Sequence, residues 1–214
     1  MSDPVKSATG QGSRRAAQAR ATRRRIIDAA RELFLRQGYA STTLDQIAAA
    51  AGVAVQTVYF HFGNKATVVK EIVDVLAVGD DEPIPMLDRP WVEQVRDEPD
   101  GRRALAIWLA NSRVIFGRVA PIMKIVRDAA GADAEMAAQW ETNQNQRFLA
   151  HDTLARHLAD KQALRPDLSI DEAADVIFTL VSVEVYLLLT GVRGWTPEEW
   201  ERWINKILSA TILR

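Results

Sequence analysis

A chain of 214 residues, 48% hydrophobic and 26% charged, is long enough for a small domain joined to a larger one and polar enough to stay in water. It has no cysteine, which excludes disulfides and thiolate metal centres and suits a reducing cytoplasm. The net charge of −1 hides an asymmetry: residues 1–70 carry eleven Lys/Arg against four Asp/Glu, a net +7, which leaves −8 for residues 71–214. A basic head on an acidic body points to a polyanion as a partner of the head alone.

Residues 1–25 contain no apolar block, so no secretory signal is expected. Residues 1–19 mix Ser, Gly, Gln, Ala and Arg without an apolar period and read as a disordered basic arm. A first helix is expected from a Thr22 cap to Gln37, burying Ile26, Ile27, Ala30, Leu33 and Phe34 and ending at Gly38. Arg23, Arg24 and Arg25 would then fall in its first turn, where the helix dipole disfavours cations. A nearby phosphate backbone would turn that penalty into attraction, so all three are candidate DNA contacts.

Thr42 to Lys65, TTLDQIAAAAGVAVQTVYFHFGNK, reads as a short helix, a glycine turn, a second short helix and the start of a third. That is helix-turn-helix grammar. Thr42 is expected to cap the first of these helices with Asp45 completing a capping box, over an inner stripe of Leu44, Ile47 and Ala48. Gly52 supplies the positive φ of the turn, and Val53 anchors it. The next helix, about Val55 to His61, is too short to stand alone and must lean on Val58 and Phe62.

These residues carry a resemblance. The segment resembles the DNA-binding domain of the tetracycline-repressor-like (TetR) family of transcriptional regulators in Thr42-Thr43, Ile47-Ala48, Ala51-Gly52-Val53, Thr57-Val58-Tyr59, His61-Phe62 and Lys65. The match spans about residues 22–70. It implies that Val55, Gln56 and Thr57 face the major groove, where Gln suits an adenine edge, Thr several bases and Val a thymine methyl. It implies further that Tyr59, His61 and Lys65, with Thr42 or Thr43 at a helix N-terminus, hold phosphates. Ala54 departs from the family, which commonly has a capping Ser there. An alanine cap costs roughly 1 kcal/mol of helix stability.

The body is helical by period. A helix from about Lys65 to Val78 leads into Asp80–Pro99, whose four prolines mark a long connection with a helical turn near Trp91–Arg96. Leu105, Trp108, Leu109, Ser112, Ile115 and Phe116 form a stripe that Pro121 is expected to interrupt, opening a separate helix to Ala130. A long helix from about Asp133 to Ala163 follows, with Met136, Trp140, Asn143, Arg147, His151, Leu154 and Leu158 on one face. A buried Arg147 needs a partner, and Glu184, in an expected helix Ile170–Val192, is the candidate. Trp108, Asn111, Trp140, Asn143, Arg147, Phe178 and Glu184 either line a small-molecule pocket or form a satisfied polar network, or some of them simply face solvent. The resemblance favours the pocket, because it implies an effector-binding body.

Val176–Val192 is the longest apolar stretch, but Ser182, Glu184 and Thr190 make it a buried helix rather than a membrane span. Ile170–Val192 and Pro197–Leu213 carry more apolar surface than two helices can hide, which a homodimeric four-helix interface would bury.

The expected architecture is all-α: a disordered basic arm over 1–19, a three-helix DNA-binding domain over 20–66, and a larger helical effector-binding and dimerisation domain over 67–214. The expected function is that of a cytoplasmic transcriptional regulator, more a repressor than an activator. It would bind a palindromic double-stranded DNA operator as a homodimer and let go when a small-molecule effector binds. No metal or cofactor is expected, since His61, His151 and His157 form no ligand pattern. A non-responsive architectural DNA protein is an alternative. An enzyme is a poorer one, for the sequence offers no nucleophile–base pair, metal cluster or phosphate loop.

Overall fold

The computed structural model describes residues 9–79 and 84–214, with side chains from Arg14 onward. It divides into two compact units, Met1–Ile72 and Val73–Arg214. Among the described residues the only strand-like pairing is an isolated antiparallel bridge between Leu164 and Leu213, so the fold is all-α as expected.

In the first unit α1 (Thr9–Gln37) packs on α2 (Leu44–Ala51), and α2 on α3 (Val55–Phe62). Ile26, Ile27, Ala30, Leu33 and Phe34 are buried, as the helical period requires, together with Ile47, Val58, Phe62, Val68 and Ile72. Gly38, at φ +80°, ends α1 and donates its amide to Phe34 O at 2.9 Å.

Two expectations for this unit need correction. The helix begins at Thr9, not near Thr22, so the described part of the expected arm is helical; residues 1–8 lie outside the described residues. Ala, Arg and Gln are strong helix formers, and their lack of apolar period says only that no side of this stretch is buried. Arg23, Arg24 and Arg25 consequently sit in mid-helix, where no first-turn dipole penalty acts and the argument that made them phosphate ligands falls away.

In the second unit α4 (Lys65–Val78), which begins in the first, is followed by a 3-10 turn at Met86–Asp88 and α5 (Pro90–Asp97). Asp80–Pro83 of the expected connection lie outside the described residues. Next come α6 (Gly101–Ala130) and α7 (Ala134–Asp160), capped by Asp100 and Asp133 through their side chains. Pro121 does not divide α6. It stands on the exposed face, as does Gly117, whose carbonyl it leaves without an amide and which water can satisfy. Phe116, Val119, Ala120, Ile122 and Met123 are buried on either side and hold the helix on course.

The expected helix Ile170–Val192 is likewise corrected. It is three pieces: α8 (Ile170–Leu180), α9 (Val183–Leu187) and a π-turn over Leu188–Val192. Val181 (φ −90°, ψ 68°) and Ser182 (φ −128°, ψ 154°) leave helical geometry, and the Ser182 hydroxyl accepts from Val185 N to start α9. α10 (Pro197–Thr211) opens as its sequence demands, with Thr196 and Glu199 forming a capping box and Pro197 in the first turn. Trp200, Ile204 and Leu208 are its buried stripe.

Gly101 shows how tightly α6 meets the loop after α7, since a Cβ there would stand 2.2 Å from Ala163 Cβ. Gly101→Ala should therefore cost about 1–2 kcal/mol through overpacking, read as a lower unfolding midpoint. An unchanged midpoint would mean that the Ala163 loop gives way freely.

Candidate nucleic-acid interface and a buried polar cluster

The helix-turn-helix is assembled by local hydrogen bonds. Thr43, not Thr42, caps α2: its hydroxyl accepts from Gln46 N at 3.2 Å, and Gln46 Oε1 accepts from Thr43 N at 3.0 Å. Thr42 is buried, and its hydroxyl donates to Gly38 O at 2.8 Å, so its side chain fastens the end of α1 instead of facing a phosphate. Gly52 adopts φ 64° and ψ 40°, and the Val53 amide closes the turn on Ala48 O at 3.0 Å.

α3 has eight residues, and its first position follows Ala54, which offers no side-chain cap. Val58 and Phe62, both buried, pin one face to the unit's core. The opposite face is open: Gln56 is exposed, Tyr59 is 53% exposed and Phe60 85%. Val55, Thr57 and His61 are half-buried at its flanks. Tyr59 is thus a surface residue, not part of the core. Phe60 was missed by sequence reasoning, although its place four residues after Gln56 put both on one helical face.

The cations expected at phosphates divide. Arg23 forms an ion pair with Glu71 and lies 5.7 Å from the Phe62 ring centre, tying α1 to α4. Arg24 pairs with Asp28 at 3.3 Å, and Arg25 is exposed. Lys65 donates to Tyr39 O at 2.9 Å and lies 4.0 Å from that ring's centre, so its ammonium clamps the start of α4 to the end of α1. Asn64 caps α4 by accepting from Thr67 N at 2.8 Å.

The second unit gathers some of the expected ligand residues and not others. Arg147 lies 3.7 Å from the Phe178 ring centre and donates to Phe178 O at 2.5 Å and Val181 O at 3.1 Å. It thereby covers the carbonyls that the α8–α9 break exposes. Its Nε donates to Gln144 Oε1 at 3.1 Å, and Gln144 Nε2 reaches Glu184 Oε1 at 3.4 Å. Glu184 thus meets Arg147 through Gln144 and by charge, not as the direct partner expected. Burial lowers the Arg147 pKa to about 10 and the Glu184 charge works against that fall, so the guanidinium stays charged at neutral pH.

His151, on the same face of α7, stands edge-on to Trp108 and Phe178 with ring centres 6.3 Å and 6.2 Å away. Burial, then the Arg147 charge, lowers its pKa to about 3, so it is neutral. His151 Nδ1 and Glu184 Oε2 are both buried without a hydrogen-bond partner. Asn111, by contrast, donates to Ile107 O in its own helix, and Asn143 accepts from Gln139. No hydrogen bond or ring contact joins these two or the half-buried Trp140 to the cluster, among the described residues.

Residues 26–72, the span from the α1 core face to the end of the first unit, match the family described as bacterial regulatory proteins, tetR family. The HTH-type transcriptional regulator TtgR of Pseudomonas putida is 30% identical over 178 residues, covering 80% of this chain and 83% of TtgR. The chain belongs to the TetR family. Its relationship to TtgW of the same organism, also an HTH-type transcriptional regulator, is 53% identity over 57 residues, 27% of this chain and 42% of TtgW. That match spans less than half of TtgW's length. A likeness of fold extends over almost the whole chain: NalD of Pseudomonas aeruginosa superposes with a TM-score of 0.71 at 23% identity, covering 92% of this chain and 98% of NalD. As a TetR-family protein the chain is a helix-turn-helix transcriptional regulator and not an enzyme.

Proposed function

We propose that this TetR-family regulator is a cytoplasmic repressor that binds a palindromic operator as a homodimer and releases it when a small molecule binds the second unit. The observation that carries the DNA half is the outward face of α3, where Gln56, Thr57, Tyr59 and Phe60 project from a helix fastened by Val58 and Phe62 in a net-positive head. Gln56, Thr57 and Val55 read bases, while Tyr59, His61, Thr43 and Arg25 meet the backbone. A mobility-shift series on duplexes selected from a randomised pool tests this. Affinity should fall steeply with salt, Tyr59→Phe should weaken all duplexes alike, and Gln56→Ala should change which duplex is preferred. Binding without salt dependence would overturn it.

The dimer is supported by the apolar segment Ile170–Val192, much of which is left unburied within one chain. Leu188 and Val192 are 54% and 77% exposed. A second copy laid along them removes that surface from water. Leu188→Glu together with Val192→Glu should halve the mass seen by sedimentation, whereas an unchanged mass would place the interface elsewhere.

The effector half rests on the polar cluster. Arg147 and Glu184 cancel in charge, Arg147 Nε and Nη1 are already engaged, and two buried polar atoms have no partner: the acceptor Glu184 Oε2, and Nδ1 of the neutral His151, which stands against Trp108 and Phe178. That arrangement favours an uncharged aromatic molecule carrying hydrogen-bond donors. Release would pass along α4, which Arg23 holds through Glu71 in the first unit and Arg118 holds through Ala77 O at 3.2 Å in the second.

A further inference from the structure

Phe60 is the most exposed large apolar side chain among the described residues, at 85%. It stands in the middle of the surface that faces DNA if the reading above holds, and this inference rests on that reading. Burial does not explain it, since the residues that α3 buries are Val58 and Phe62. It has no polar atom, so it cannot bond a phosphate or a base edge. The ring is nevertheless oriented: His61 lies edge-on to it, with ring centres 5.4 Å apart and planes 79° apart.

Position on the helix narrows its role. One turn separates Gln56 from Phe60, so they point the same way, roughly 6 Å apart along the axis. Tyr59 and Thr57 flank this line on either side. A residue on the central line reaches the floor of the groove, where base edges lie, whereas residues on the flanks stand within reach of base edges and of the phosphate walls alike. The apolar feature that a base pair offers in the major groove is the thymine 5-methyl group.

We propose that Phe60 is a specificity-determining residue that packs on a thymine methyl, about two base pairs from the base read by Gln56. Each operator half-site would then require a thymine at that step, and the pair would read an adenine and a thymine with one hydrogen-bonding and one apolar side chain.

Replacing thymine by uracil removes the methyl and nothing else, which gives a direct test. Duplexes selected by the wild-type protein are remade with uracil at each thymine in turn and bound by wild type and by Phe60→Ala at one fixed salt concentration. One position per half-site should weaken the wild type roughly four-fold on losing its methyl. Phe60→Ala should bind the thymine duplex correspondingly weakly and lose nothing further with uracil at that position. Because Phe60 is so exposed, Phe60→Ala should melt no lower than wild type, which separates lost contact from lost fold. If Phe60→Ala weakens every duplex alike and uracil costs both proteins the same factor, the ring packs on the sugar–phosphate wall and the proposal fails. Unchanged affinity in Phe60→Ala overturns it too. If neither protein retains any duplex, the DNA-binding reading itself is wrong and this inference goes with it.

Discussion

Arg147→Met should lower the stability of the second unit by about 3 kcal/mol, because the Phe178 and Val181 carbonyls lose a charged donor and Glu184 loses the nearby positive charge. Methionine keeps most of the apolar stem, so the loss reports on the guanidinium and not on a cavity. For a protein of this size the midpoint of thermal unfolding should drop by roughly 6–12 °C. The double variant Arg147→Met/Glu184→Gln should recover part of that drop, since the carboxylate no longer stands uncompensated. A drop no larger than a surface substitution gives would mean that the break at Val181–Ser182 holds itself without Arg147.

Acid should weaken the same unit through His151. Its folded pKa of about 3 lies far below the ordinary histidine value, so between about pH 6.5 and pH 3 the unfolded chain binds a proton that the folded chain refuses. Stability contributed by the neutral ring is therefore complete above pH 6.5, falls as pH drops, and is exhausted near pH 3. At about pH 5 the loss is on the order of 2 kcal/mol. Melting curves across this range should show the slope, and His151→Gln or His151→Leu should flatten it. An acid limb unchanged in both variants would assign it to carboxylates elsewhere.

Much of the fold was legible because period and punctuation agree in it. Ile26 to Phe34, Gly38, Gly52 and Thr196-Pro197 each mean one thing in any context, and the structure places them accordingly. The break at Val181–Ser182 was not legible. No Gly or Pro marks it, and it depends on Arg147, more than thirty residues earlier, reaching across to the freed carbonyls. Pro121 misled in the other direction, because a proline ends a helix only when nothing on the buried side holds the two halves together. The place of Arg23, Arg24 and Arg25 within α1 was not legible because the helix starts at Thr9 and not near Thr22, and dipole reasoning is only as good as the terminus it is measured from. Lys65 has the chemistry to meet a phosphate, and only the three-dimensional neighbourhood reveals that the Tyr39 carbonyl and ring meet it first.

The bare alanine at position 54 leaves the first amides of α3 without a side-chain acceptor. Before DNA arrives, the opening turn that carries Gln56 and Thr57 is free to fray, and its amide hydrogens exchange faster than those of the Val58–Phe62 turn. Part of the free energy of binding DNA would then offset the entropy lost in ordering that turn. A hydroxyl at position 54 would remove this toll once, in the free protein, and so tighten every duplex by a similar factor. If the outward residues of α3 read bases as proposed, affinity and selectivity would be carried in part by different residues: the missing cap would weaken the hold on any DNA, and the side chains beyond it would set which DNA is preferred.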